Sequence, residues 1–320
     1  MSISALCARL ESIAWRDLGG RSSSALRVPG DLLRACEIFV KARAGILILT
    51  GFPCRVTCTP PGETDGPSGA VALAFAARAL GLRASVATDA NNAAAMRAAL
   101  DARGLVAADV PVESFIARGA AGYGAAAETT RARFVALLAS HDVSVAVERA
   151  GAGADGRYYT MRGIDMEGLV APLDELLVSG TRAGGGSAAP LRASIGIGDG
   201  GNECGMGFVR AAVEATVPRG ALIAAVAAAD ATILGGVSNW GAWSLVTAVD
   251  AKMERGGALL PTIEGEEAIE RALEKEGVGD GVNGCVSPAG SVDGMPSSVH
   301  RGILAEFREQ LAEFQRGSRV

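Results

Sequence analysis

Short apolar runs rich in branched side chains alternate with alanine- and leucine-rich segments along most of the 320-residue chain. The apolar runs predict strands over residues 44–51, 83–89, 143–148 and 191–199, and a fifth strand and turn over residues 231–241. The intervening segments have helical periodicity and predict helices over residues 69–81, 91–104, 129–142, 206–215 and 242–254. An amphipathic pattern predicts one more helix over residues 297–314.

Strands that alternate with helices are typical of a parallel sheet covered by helices on both faces. We therefore predict an α/β fold in three layers, built on a mostly parallel, Rossmann-like sheet. The composition agrees with this prediction, because 49% apolar residues with only 4% aromatics favour close-packed helices on a sheet over a β-sandwich. In such open sheets, ligands bind in a cleft at the carboxyl ends of the strands.

Two segments, residues 119–128 and 180–190, are rich in glycine and other small residues and are predicted to be loose connections. The alternation of strands and helices resumes directly after the second segment. We therefore predict one domain over residues 1–320, with residues 180–190 as a surface loop. A division into two domains at that loop is the alternative.

The charge pattern and the apolar runs argue against two classes of partner. The net charge is −5 and no basic run is present, which argues against nucleic acid. No apolar run approaches the roughly 20 residues that span a bilayer. The first residues lack an apolar signal core and are predicted to belong to the fold, with a cleavable organelle address as the alternative. Six cysteines in a chain this long indicate a reducing compartment, the cytoplasm, with an organelle matrix not excluded.

Acidic residues collect where the predicted strands end. They are Glu63, Asp65, Asp89, Glu148, Asp199 and Glu203. Because the carboxyl ends of parallel strands meet at one edge of the sheet, these carboxylates are expected to converge. So many like charges in one cleft repel one another unless a cation or shared protons intervene. For each acid taken singly, capping of the following helix is an equal alternative.

The types of residue in this set favour a hard divalent cation. Ligands that offer only oxygen suit Mg²⁺ or Mn²⁺. Zinc is disfavoured, because neither His141 nor His300 has a partner at ligand spacing. Cys54 and Cys58 form a C-x3-C pair, but no second pair accompanies it, so a structural zinc site is not predicted.

The glycine-rich stretch IGIGDGGNECGMG, residues 195–207, contains a G-x-G-x-x-G match. As a dinucleotide-binding turn it is weak, because it does not open the first strand–helix–strand unit and lacks an acid about 20 residues further on. The stretch also resembles the metal-binding loop of haloacid dehalogenase-type phosphatases. Those enzymes need an Asp-x-Asp motif after the first strand, where this chain offers Glu63-Thr64-Asp65 far past the strand end.

A third interpretation rests on the motifs TGFP, ETDGPSGA, DGRYYTMRGID, IGIGDGGNECGMG, GVSNWGAW and SVDGMP, which occur in this order. Together they resemble the C-terminal domain family of D-glutamate cyclase, from about Trp15 to the end of the chain. The resemblance implies conversion of D-glutamate to 5-oxo-D-proline with loss of water. It also implies a metal-bound acidic cleft.

The resemblance and the chemistry of that reaction together predict three sets of site residues. The predicted catalytic residues are Glu63, Asp65 and Glu203. The predicted substrate-binding residues are Thr50, Gly66, Ser68, Arg162, Asn202 and Asn239. The predicted ligands of Mn²⁺ or Mg²⁺ are Asp65, Asp89, Glu148, Asp165, Asp199 and Glu203. For Arg162 the alternative is a salt bridge with Asp165 or Glu167, for the two asparagines it is turn formation, and Asp293 either reaches the site or caps the last helix.

Two further functions stay open at this stage. One is a divalent-metal-dependent phosphoesterase acting on a small phosphorylated metabolite, because acid-lined metal clefts often serve phosphoryl transfer. The other is a non-catalytic sensor of a small acidic metabolite. In all three cases the expected partner is a small acidic molecule, with no nucleic acid and no membrane. The apolar helices make a homodimer plausible.

Overall fold

Six parallel strands form the centre of the fold in the computed structural model, which describes residues 1–20, 23–178, 192–284 and 290–317. The strands are β1 (Gly45–Gly51), β2 (Arg83–Asp89), β3 (Val112–Phe115), β4 (Val143–Arg149), β5 (Ala193–Gly198) and β6 (Ala231–Leu234). Their order across the sheet is β3-β2-β1-β4-β5-β6, and every pairing is parallel. The strand order reverses between β1 and β4, which is where open α/β sheets bind their ligands.

Helices cover both faces of this sheet. They are α1 (Ile3–Ala14), α2 (Asp31–Lys41), α3 (Pro67–Ala79), α4 (Ala93–Ala102), α5 (Tyr123–Ser140), α6 (Asp174–Val178), α7 (Arg210–Thr216), α8 (Gly220–Ile223), α9 (Ser238–Lys252), α10 (Ile263–Lys275) and α11 (Ser297–Gly317), with short 3₁₀ helices at Ser23–Leu26 and Gly207–Val209. A hairpin of β7 (Ser291–Val292) and β8 (Met295–Pro296) precedes α11. The predicted three-layer α/β fold is confirmed.

Successive side chains of the central strands enter two separate cores, as the two-residue period of a strand requires. Ile46 and Ile48 belong to the larger core, which they share with α1, α2, α3, α4, α9, α10 and α11. Leu47 and Leu49 belong to a smaller core on the other face, together with Phe134 of α5 and the buried side chains of α6. Strands buried on both faces explain why the runs in the sequence are continuously apolar.

Several predicted boundaries differ from the structure. Residues 119–128 were predicted as a loose connection, and this is wrong from Tyr123 onward, because α5 begins there. The three alanines at 125–127 are strong helix formers, although the helix buries only Phe134 and Leu137. Helix α9 begins at Ser238, earlier than the predicted start at residue 242. The sequence patterns did not predict β3, α1, α2 or α10, and the predicted loop at 180–190 lies outside the described residues.

Candidate active site

The candidate site lies at the reversal of strand order, where β1 and β4 end side by side. Glu148, near the end of β4, is buried and has a positive φ of 40°. The loop after β1 returns to this point at Gly66, whose φ is +98°. An added Cβ at Gly66 would lie 2.8 Å from the Cβ of Glu148. Glycine is therefore needed at position 66 both for its backbone conformation and for the close approach to Glu148.

Asp65 joins this loop to the first turn of α9. Its carboxylate accepts hydrogen bonds from the backbone N–H groups of Ser238 at 2.8 Å and Asn239 at 2.9 Å. It also accepts from the N–H of Gly66 at 2.9 Å. Asp65 therefore caps a distant helix, α9, and not the helix that follows it, and these bonds explain why α9 begins earlier than its sequence pattern predicts. They also fix the carboxylate in place beside the other acids.

The glycine-rich turn after β5 folds around the side chain of Glu203. The Glu203 carboxylate accepts from the backbone N–H groups of Asp199 (3.1 Å), Gly200 (2.7 Å) and Gly201 (2.7 Å). An added Cβ at Gly198 would lie 2.6 Å from Glu203 Oε2. The N–H groups that would bind a pyrophosphate in a dinucleotide turn are therefore occupied by the carboxylate of the turn itself.

Five buried carboxylates form an acid cluster, which consists of Asp65, Glu148, Asp199, Glu203 and Asp293. Oxygen atoms of Asp65, Asp199 and Asp293 lie within 4.8 Å of one another, and the same holds for Glu148, Asp199 and Glu203. Asp199 belongs to both triplets. Burial, followed by the charges of Asp199 and Asp65, raises the pKa of Glu148 well above its ordinary value. A donor set made only of carboxylate oxygens fits a hard divalent cation.

The acid cluster faces a front cavity of about 320 Å³. Glu63 and four members of the cluster, Glu148, Asp199, Glu203 and Asp293, line one part of it. The rest of its lining is largely apolar and includes Phe52, Met161, Ile164, Val217, Pro218 and Val282. Arg162 is the one cationic side chain among the described residues that line this cavity. Its guanidinium donates to the carbonyl of Val282 at 3.2 Å, and neither alternative salt-bridge partner is among its described contacts.

The structure does not bring Asp89 into the acid cluster. Its carboxylate forms a bidentate ion pair with Arg149, at 2.5 Å to Nη1 and 2.9 Å to Nη2, and both side chains are buried. The backbone N–H of Ala171 donates to the same carboxylate at 2.6 Å. Arg149 also donates to the carbonyls of Thr50 and Gly51 at the end of β1. The guanidinium of Arg149 compensates its charge, so the structure places Asp89 in an ion pair apart from the acid cluster.

Asp165 also lies away from the acid cluster. It forms an ion pair with Arg157, and the same guanidinium lies 2.8 Å from Glu167. These three side chains line a small surface pocket separate from the front cavity. Among the described residues, Asp165 is not one of the acids whose oxygen atoms lie within 4.8 Å of those of Asp199.

The predicted substrate-binding residues do not share one cavity. Arg162 and Asn202 line the front cavity, and Asn202 also donates to the carbonyl of Tyr159 at 2.9 Å. Thr50 is fully buried, and within the described chain its hydroxyl has no hydrogen-bond partner. Ser68 and Asn239 instead line a different cavity behind the loop. The side-chain Oδ1 of Asn239 accepts hydrogen bonds from the backbone N–H groups of Gly66 at 3.2 Å and Gly69 at 2.7 Å, and these bonds hold the loop in its conformation.

The sequence analysis did not predict Ser238 as a residue of the site, and it left open whether Asp293 belongs to the site. Ser238 donates from its hydroxyl to Glu148 Oε2 at 2.6 Å, and its only sequence signal is its place in the GVSNWGAW motif. Asp293 reaches the acid cluster from the turn between β7 and β8, with a φ of 55°. Of the two alternatives for Asp293, the structure supports the one that places it in the site.

Comparisons with known proteins agree with the motifs. The family described as "D-glutamate cyclase-like, C-terminal" matches residues 10–308. The mitochondrial D-glutamate cyclase of Homo sapiens is 32% identical over 316 residues, which cover 90% of this chain and 48% of the human protein. The chain therefore spans about half the length of that relative. On this evidence the chain belongs to the D-glutamate cyclase-like, C-terminal family, as its motifs predicted.

Proposed function

We propose that this chain converts D-glutamate to 5-oxo-D-proline and water with the help of a divalent cation, Mn²⁺ or Mg²⁺. The name of the human relative supports the reaction. The observation that carries the proposal is a cavity whose described lining combines four carboxylates of the acid cluster with one guanidinium. A dicarboxylic amino acid needs both kinds of charge, because one of its carboxylates can be bound by the cation and the other by arginine.

The proposed ligands of the cation are Asp199, which both triplets share, and its neighbours Asp65, Glu148, Glu203 and Asp293. When bound, the cation polarises the substrate γ-carboxylate and offsets the negative charge that develops on it. The protein holds these ligands in fixed positions before any ion arrives. The N–H groups of the glycine turn fix Glu203, and the first turn of α9 fixes Asp65.

Arg162 and the apolar wall are proposed to hold the substrate in a curled conformation. The guanidinium binds the α-carboxylate, since it is the one cation that lines the described part of the front cavity. Phe52, Ile164 and Val282 face the methylene groups of the substrate. Holding the amine close to the carbon of the γ-carboxylate replaces an encounter by an intramolecular step, which is a large part of what such a reaction needs.

Glu63 is the proposed proton acceptor. It lines the front cavity and belongs to neither carboxylate triplet, so it is not needed as a ligand of the cation. The α-ammonium gives up two protons as its nitrogen forms the new bond to the carbon of the γ-carboxylate. One C–O bond of the γ-carboxylate breaks, and the departing oxygen takes both protons and leaves as water. A carboxylate beside the nitrogen can pass these protons to the oxygen.

The decisive experiment measures loss of D-glutamate and formation of 5-oxoproline with metal-stripped protein, before and after addition of Mn²⁺ or Mg²⁺. We expect product only after the metal is added, and L-glutamate tests the preference for the D-isomer. Absence of product with either ion would remove D-glutamate as the substrate. Release of phosphate from small phosphate esters would then favour the phosphoesterase, and binding without turnover would favour the sensor.

Two variants separate the proposed roles of the acids. Glu63→Gln is expected to lower turnover by about 100-fold or more while the protein still gains thermal stability from Mn²⁺. Asp199→Asn is expected to lose both turnover and the response to Mn²⁺. Glu264→Gln, an exposed position on α10, is the matched control and should change neither. Full turnover in Glu63→Gln would contradict its role as proton acceptor.

A further inference from the structure

A second, smaller cavity of about 80 Å³ lies behind the loop that carries Glu63 and Asp65. We call it the back cavity. It is enclosed by α10, by the first turns of α3 and α9, and by residues of β7 and α11. Its apolar lining is formed by Trp243, Ile269, Leu273, Val278 and Val292, and its acidic lining by Glu266, Glu270, Glu274 and Asp280. No step of the proposed reaction uses this cavity.

The back cavity contains a buried carboxylate, Glu266, that forms no ion pair within the described part of the chain, although the charge of Arg103 acts on it from further away. Glu266 is only 6% exposed. Within the part of the chain that the structure describes, its one hydrogen-bond partner is the hydroxyl of Ser68, which in turn accepts from the indole N–H of Trp243 at 3.2 Å. None of its described contacts is an ion pair. Burying a charged carboxylate that has no ion-pair partner costs free energy unless the group takes up a proton or a cation lies beside it.

The basic side chains that line the back cavity do not supply that cation. Arg301 lies 3.8 Å from Glu267 and 3.8 Å from Glu270, and is directed to these two acids. His300 accepts from Trp240 at its Nδ1, which leaves Nε2–H to face the carbonyls of Val292 and Met295. A ring whose Nδ1 accepts an N–H carries a single proton, and burial also lowers the pKa of His300. The cavity therefore has an excess of negative charge.

The shape and lining of the cavity favour an organic cation over a metal ion. Among the described residues, groups of three side chains that could hold a metal occur only in the acid cluster. The lining also includes the indole of Trp243 and aliphatic side chains, which suit the alkyl part of a ligand. Because a water occupies about 30 Å³ in the liquid, the cavity has room for roughly three non-hydrogen atoms.

We propose that the back cavity is a second ligand site, which binds a small alkylammonium group with its nitrogen at Glu266 and its carbon atoms against Trp243 and Leu273. The site is independent of the proposed reaction. It is adjacent to the candidate active site, because the same loop separates the two cavities. Glu63 lines the front cavity and Thr64 and Ser68 line the back one, so a ligand at Glu266 acts on the loop that positions Asp65.

The test follows the indole N–H signals of the three tryptophans by NMR during titration with ethylammonium chloride. Loss of one signal in Trp243→Phe assigns the reporter residue of the cavity. We expect a saturable shift of the Trp243 signal, while the signals of Trp15 and Trp240 move little. Ethanol, a neutral molecule of the same size, and sodium chloride at equal ionic strength should not reproduce the shift.

Glu266→Gln removes the charge at nearly constant volume and is expected to weaken the binding of ethylammonium by about tenfold or more. Glu264→Gln removes a charge from the exposed side of the same helix and should leave the binding unchanged. No saturable shift in the unaltered protein up to about 100 mM, where even a millimolar site is filled, would overturn the proposal. So would equal shifts with ethanol or sodium chloride, or full binding by Glu266→Gln.

Discussion

Two groups of buried acids lie at the carboxyl edge of the sheet, and they differ in what neutralises them. Asp89 ends β2 and is matched by the guanidinium of Arg149, which also binds the end of β1. Asp199, just after β5, has four other carboxylates around it. The first arrangement is complete without any ligand and stabilises the fold. The second concentrates several carboxylates within 4.8 Å of one another, which is typical of a site that binds a cation.

The largest expected effect comes from breaking the ion pair. Asp89→Asn leaves the buried guanidinium of Arg149 without a counter-charge and should lower the free energy of unfolding by about 3–5 kcal/mol. Urea denaturation of the metal-free protein measures this loss. If Asp89→Asn kept its stability and instead lost its response to Mn²⁺, Asp89 would belong with the metal ligands and the comparison would fail.

The opposite result is expected for Asp199→Asn in the acid cluster. Removing one of several like charges should not lower the stability of the metal-free protein. In the unaltered protein, Mn²⁺ at about 1,000 times its Kd should add about 4 kcal/mol to the free energy of unfolding, and Asp199→Asn should lose this gain. Unfolding curves with and without Mn²⁺ measure both quantities. A variant that is destabilised without metal would show that the cluster is structural.

Glu266 is a third kind of buried acid. Among the described residues it belongs neither to an ion pair nor to one of the carboxylate triplets. Burial raises its pKa from 4.5 to about 7, with smaller opposing contributions from the Ser68 hydroxyl and Arg103 and a raising one from Glu270. The folded protein then binds a proton more strongly than the unfolded chain between about pH 4.5 and pH 7. Stability that is present below pH 4.5 is therefore lost as the pH rises through this range.

Glu266→Gln removes this loss. Relative to the unaltered protein, the variant should gain up to about 3 kcal/mol of unfolding free energy between pH 4.5 and pH 8. Urea denaturation at several pH values measures the difference, with Glu264→Gln as the control. A difference that does not change with pH would show that Glu266 has an ordinary pKa in the folded protein.

The smallest effect is expected for Asp165, the partly exposed acid that was predicted from the sequence to be a metal ligand. The side chains of Asp165 and Arg157 are 31% and 50% exposed, so Asp165→Asn should change the free energy of unfolding by less than about 1 kcal/mol. The stabilisation by Mn²⁺ should stay unchanged in a thermal unfolding experiment. A loss of that stabilisation would return Asp165 to the site.

Local sequence patterns were sufficient for most of the sheet. The apolar runs at residues 44–51, 83–89 and 143–148 match β1, β2 and β4 closely, because strands buried on both faces are apolar throughout. The same patterns did not predict that residues 123–128 form the first turns of a helix. A helix of small residues with little buried surface has no clear apolar stripe. The early start of α9 was also missed, because its cap comes from Asp65 in a distant loop.

The sequence by itself determined the α/β fold, the family and the edge of the sheet at which the acids collect, because these depend on periodicity and on motifs that lie within short segments. Only the tertiary structure decided which acids meet. Asp89 and Asp199 have the same local context at a strand end, yet one is paired by Arg149 and the other is joined by Asp293 from the C-terminal hairpin. Charge interactions depend on distance in space and on burial, which neither motif nor spacing along the chain records.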